Sequence, residues 1–157
     1  MKAMKILLGA LVALMVLGGM AMAQTGITTT VSASKEIQLP TGDINIASLV
    51  VGDNGPIDLP GIIVHTNEAT YFTAIASGAY ANQGKFYGTN GWFQNKFTLS
   101  CDSPTGITGY GPSPVDTIQN LAYISAAGDY NMPLKLNQNV AGVDGTGSVK
   151  TEVTFAI

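Results

Sequence analysis

A chain of 157 residues with seven lysines, no arginine and ten carboxylates carries a formal charge of -3. That balance argues against nucleic acid as a partner, because phosphate is neutralised by clustered Lys and Arg, and it excludes a polybasic anchor on anionic lipid. Only 11% of the residues are charged, so the surface offers little electrostatic resistance to self-association.

The first 23 residues predict a cleavable signal peptide. Lys2 and Lys5 form a positive start, residues 6–17 are apolar apart from Gly9, and Ala21 and Ala23 supply the small side chains of an Ala-x-Ala site. Cleavage is expected between Ala23 and Gln24. The alternative is an uncleaved anchor, since residues 6–23 are uncharged and near the lower limit for a bilayer span. The small residues at the end of the segment favour cleavage. The mature chain, 24–157, is then a single secreted domain at the cell surface or in the extracellular matrix, with no membrane span of its own. It is long enough for one core. Five lysines against ten acids give it a formal charge of -5.

Beyond the signal, short β-prone runs are cut by Gly, Pro, Asn and Asp. Strands are expected at 27–39, 44–51, 61–66, 70–77, 92–101, 118–125, 133–140 and 149–157. Turns are expected at Asn54-Gly55-Pro56, Asp58-Leu59-Pro60-Gly61 and Ser103-Pro104-Thr105-Gly106, with longer loops at 78–91 and 102–114. Residues 115–127 lack Gly and Pro, and Ile118, Leu121 and Ile124 have partial helical spacing, but a strand fits equally well. The last run is the clearest: Val149, Thr151, Val153, Phe155 and Ile157 alternate with Lys150, Glu152 and Thr154. Across Asp144-Gly145-Thr146-Gly147 it is expected to form a hairpin with 133–140. The fold class is therefore all-β, an antiparallel sandwich or barrel-like domain of about seven or eight strands.

Groups that do chemistry are scarce. His65 is the only histidine and stands late in an apolar strand, without a Gly-x-Ser-x-Gly elbow elsewhere. One histidine and one cysteine cannot supply a zinc site. Calcium needs only oxygen ligands, and Asp53-Asn54-Gly55 with Asp58, or the turn from Asp144, could offer some; the turn-forming role of Asp and Asn is the favoured reading. Glu36, Glu68 and Glu152 form no telling pair for glycosidase work. No catalytic, cofactor-binding or metal residue is assigned, and the chain is read as a non-enzyme. Cys101, the lone cysteine, is either a small buried hydrophobe or an intermolecular bridge.

Eight of the aromatics fall between Tyr71 and Phe97. Most of these are expected in the core, where aromatics dominate burial. The glycine-flanked Tyr80, Tyr87 and Trp92 are the candidates for a working surface, able to stack on sugar rings or on a neighbouring subunit.

The end of the chain, Gln138-Asn139-Val140, then Asp144-Gly145-Thr146-Gly147, then the Val/Thr alternation to Ile157, resembles the terminal hairpin of small secreted surface proteins of methanogenic archaea. Ser148 stands where those proteins often carry an aromatic. Among them, the major sheath proteins of filamentous methanogens are the specific resemblance, which implies a β-rich, exported, self-assembling protein that a Cys101 bridge would suit. The leading expectation is an extracellular structural protein whose partners are copies of itself. Assembly would proceed through the edges of the 27–39 strand and the C-terminal strand. The alternative is a secreted carbohydrate-binding or adhesion module that uses Tyr80, Tyr87 and Trp92 on surface glycans.

Overall fold

Residues 34–46, 48–80, 82–144 and 148–157 are described by a computed structural model. The signal segment, the Ala23–Gln24 junction, the first part of the 27–39 strand and most of the turn after Asp144 lie outside these residues. In chain order the strands are β1 (Lys35–Gln38), β2 (Gly52–Leu59), β3 (Ile63–Thr66), β4 (Thr70–Ala76), β5 (Tyr87–Gly88), β6 (Gly91–Trp92), β7 (Thr98–Cys101), β8 (Ile107–Gly109), β9 (Ser113–Pro114), β10 (Gln119–Ile124), β11 (Gly128–Asn131), β12 (Leu134–Val140) and β13 (Val153–Ala156). A single 3-10 turn, Asn82–Gly84, is the one helical element among the described residues.

All pairings are antiparallel. They make a three-stranded sheet β1-β3-β11, two four-stranded sheets β13-β4-β10-β8 and β2-β12-β7-β9, and the ribbon β5-β6. None closes on itself, so the architecture is sandwich-like and the barrel-like option falls away. The alternation of side chains drives it. On β12, Leu134, Leu136, Gln138 and Val140 are buried, while Lys135, Asn137 and Asn139 are more exposed. On β4, Thr70, Phe72 and Ala74 are buried in the same way. These inner faces join Leu99, Leu121 and Ile124 in one core, with Val64 and the ring cluster of Phe86, Phe93 and Phe97. Burying one such side chain stabilises by roughly 1.5–3 kcal/mol.

Two irregularities shape the sheets. On β10 the register against β4 shifts between Asn120 and Ala122. This bulge lets the adjacent Leu121 and Ala122 both turn inward. Between β2 and β12 the register shifts between Leu136 and Gln138, with Gly55 and Pro56 on β2 opposing the single Asn137. Gly55 has φ +130, and a Cβ there would stand 2.7 Å from the Leu136 carbonyl oxygen. Only glycine fits.

Among the described residues there are thirteen short strands, against the expected seven or eight. The loops expected at 78–91 and 102–114 contain β5, β8 and β9. The described residues of 44–51 form no strand; Ile44, Ile46 and Leu49 pack against the core. The Asn54-Gly55-Pro56 turn is instead the bulge of β2, an edge strand, where Pro is tolerated. The expected C-terminal hairpin does not form. β12 pairs with β2 and β7, whereas β13 crosses to the other four-stranded sheet and pairs with β4.

Candidate functional site

The tyrosines and phenylalanines of the central aromatic run separate by polarity. Phe72, Phe86, Phe93 and Phe97 are buried, while Tyr71, Tyr80 and Tyr87 are exposed. The hydroxyl explains the division, since a buried Tyr must find a hydrogen-bond partner.

Three of the exposed or half-buried rings meet. Tyr87 on β5 faces Trp92 on β6, edge to face, with ring centroids 4.8 Å apart. Tyr80, in the loop after β4, lies 5.8 Å from Tyr87. So Tyr80, Tyr87 and Trp92, separate in the sequence, form one cluster. A groove of about 490 Å³ is lined by Tyr80, Tyr87, Gly88, Thr89, Ser148 and Lys150. Trp92 is not part of this wall; it supports Tyr87.

The groove is fixed by backbone and by one carboxylate. The Tyr87 N–H donates to the Lys150 carbonyl at 2.7 Å, and the Lys150 N–H donates back at 2.9 Å. The Tyr80 N–H donates to Glu152 Oε2 at 3.2 Å. Gly78, at φ +95, gives that carboxylate room; a Cβ there would collide with it. Lys150 Nζ lies 4.9 Å from the centre of the Tyr80 ring, a cation–π contact. Ring faces, an ammonium and hydroxyls suit binding. Lys150, Ser148, Thr89 and Glu152 escaped the sequence reading. The alternation of 149–157 marks Lys150 and Glu152 as outward-facing, but nothing in it links them to Tyr80 or Tyr87.

Cys101 is 7% exposed on β7. Its Sγ donates to the Asp102 carbonyl at 3.3 Å. Burial, and then the neighbouring Asp102 carboxylate, push the thiol pKa up to about 11. A protonated, buried thiol is a poor nucleophile, and bridging another chain would require β7 to open. This placement supports the packing reading over the bridge.

The acidic segments are occupied structurally. Asp53 accepts from Asn139 Nδ2, and Asp58 lies opposite Lys135. Asp144 is buried and accepts from the Gln94 N–H at 2.9 Å and the Ala141 N–H at 2.7 Å. Among the described residues, no three His, Cys, Asp or Glu side chains converge as metal ligands. A smaller polar groove of about 260 Å³ includes Asp53, Lys96, Asn137 and Gln138. Gln138 is 2% exposed; its Nε2 donates to the Asn139 carbonyl at 2.6 Å and the Asn95 carbonyl at 3.3 Å, while Oε1 has no partner among the described residues.

His65 Nδ1 lies 2.7 Å from Asp129 Oδ1, across the β3–β11 pair. Three lysines hold carboxylates, Lys35 that of Glu68 at 3.0 Å. Lys96 donates to Asp116 at 2.5 Å, and that hydrogen bond holds the Asp116 carboxyl below its ordinary range. Lys135 donates to Asp102 at 2.6 Å, which raises the Lys135 pKa.

The sheet edges are the second feature of interest. β2 carries Asp53, Pro56, Asp58 and a bulge; β9 ends on Pro114; β1 carries Lys35 and Glu36; β11 carries Asp129. β8 is three residues long and is flanked by Cys101, whose N–H donates to the Tyr110 carbonyl. β13 has neither charge nor proline between Val153 and Ala156.

Compared with protein-family models, with curated proteins and with solved structures, the chain matches none.

Proposed function

We propose that this chain is an extracellular structural protein whose copies join edge to edge into a surface layer, sheath or filament. The undefended edge of β13 carries the reading. Native sheets blunt their edges with charge, proline, bulges or short length. The other outer strands of the three larger sheets use one or more of these devices, and β13 uses only its modest length. The Ser77 N–H donates to the Glu152 carbonyl, which sets the phase of the β4–β13 ladder. Glu152, Thr154 and Ala156 therefore turn their backbone groups toward β4, and Val153 and Phe155 turn theirs outward. A strand of a second copy can take up those groups by β-augmentation.

The low charge, the export signal read in residues 1–23 and the resemblance to methanogen surface proteins agree with this role. Cys101 has no part in it.

The test is electron microscopy of chain 24–157 beside Ala156→Lys. Ala156 is exposed on β13, so the substitution should change stability by less than about 0.5 kcal/mol while placing a charge on the edge. Sheets or filaments from the parent chain, lost in the variant, are expected. A parent that stays monodisperse and monomeric at high concentration would overturn the reading.

A further inference from the structure

We infer that the Tyr80–Tyr87 groove is a binding site for an acidic sugar, with a pyranose ring against the tyrosine faces and its carboxylate on Lys150. Such a site is a function additional to assembly and does not depend on it.

Preorganisation is the first argument. Half-exposed rings on a surface usually lose rotamer freedom when a ligand arrives. Here Tyr87 is held by the β5–β6 pairing, by the two-way backbone bridge to Lys150 and by the edge of Trp92. The Tyr80 backbone is fixed by Glu152, and its ring packs against Tyr87 and under the Lys150 ammonium. The cost of ordering the walls has been met in folding.

Charge is the second. Lys35, Lys96 and Lys135 each have a carboxylate oxygen within 3.0 Å. Lys150 Nζ instead rests over the Tyr80 ring, and no carboxylate forms an ion pair with it among the described residues. A cation partnered only by a ring face can take up an anion without giving up a salt bridge. Glu152, whose carboxylate accepts from the Tyr80 N–H, is not among the described lining residues.

Size and polarity complete the case. About 490 Å³ falls within the range of small-ligand sites, and the hydroxyls of Thr89 and Ser148 suit sugar hydroxyls. A single ammonium cannot serve a polyanionic nucleic acid, which needs many. A protein partner would need a contact patch of roughly 800 Å², beyond the six lining residues among those described.

The experiment is calorimetric titration of chain 24–157 with tetragalacturonate and, as its neutral counterpart, cellotetraose. The acidic oligosaccharide should bind more tightly by up to about fivefold, the scale of one exposed charge pair. Lys150→Gln should erase that preference and Lys150→Arg should retain it. Tyr87→Ala should weaken both sugars by about tenfold or more, the scale of a lost stacking face. An unchanged thermal midpoint for Lys150→Gln shows that the effect is not unfolding. Equal affinity for the two sugars, no binding of tetragalacturonate at millimolar concentration, or full acid preference in Lys150→Gln would each overturn the inference. An assembled chain and a monomer carry the same groove, so failure here leaves the proposed structural role standing.

Discussion

Replacing Gln138 by Met tests the accounting of buried polarity in the core. Gln138 is 2% exposed on the inward face of β12, and Met keeps its length and unbranched shape. Two hydrogen bonds from Nε2 would be lost, each contributing about 1 kcal/mol net. The carbonyls left behind are not stranded. That of Asn139 keeps the donation from Asn95 Nδ2 at 3.1 Å, and Asn95 is exposed, so water reaches its carbonyl. Against this loss, the variant no longer buries an acceptor without a protein partner, a penalty of about 1–3 kcal/mol, and it buries an apolar chain in its place. The terms nearly cancel, so Gln138→Met should lie within about 1 kcal/mol of the parent, on either side. Gln138→Ala leaves a cavity and should lose about 2–4 kcal/mol. Urea unfolding with a common m-value reads both. A loss above about 2 kcal/mol for the Met variant would mean that the amide is fully satisfied in solution, and the reasoning would fail.

Gly55→Ala combines a positive φ with a backbone collision at 2.7 Å and should cost at least about 2 kcal/mol; a change below about 0.5 kcal/mol in the same urea assay would show that the bulge yields freely. The Cys101 thiol titrates higher in the folded chain, at about 11, than in the unfolded chain, near 8.5–9. A raised folded pKa gives stability that is whole below the unfolded value and is lost as pH rises through the folded one. Between about pH 9 and 11 the chain should therefore lose up to roughly 2–3 kcal/mol that Cys101→Ala does not lose, read as the difference in unfolding midpoints across that window. Identical slopes for the two chains would refute the placement of the thiol.

The parts of the fold that follow from local pattern were legible in the sequence. β3, β4, β10, β12 and β13 lie within the expected runs because each alternates or is rich in β-branched and apolar residues. β8 and β9, at three and two residues, are too short to show a period and exist only because β10 and β7 offer edges to pair with. Pro56 marked a turn by residue type, yet its strand is an edge, which no local signal announces. The C-terminal hairpin failed for a related reason: neighbours in sequence were assumed to be neighbours in space, and residues 141–152 instead carry the chain from one sheet to the other. At the groove, glycine flanks singled out Tyr80, Tyr87 and Trp92, but Lys150 joins them by a long-range backbone bridge that composition cannot reveal.

That crossing has a kinetic consequence. β13 pairs with β4, about eighty residues earlier, and Phe155 stacks on Phe72 at 5.3 Å. A chain ending at residue 140 can already pair β12 with β2 and β7, but it leaves Phe72 without its stacking partner and β4 with an open side. Such long-range closure slows folding, and the last strand acts as a latch. Until it docks, β4 is itself an unpaired edge, and under the edge-to-edge assembly proposed above a strand of a second copy would compete with β13 for it.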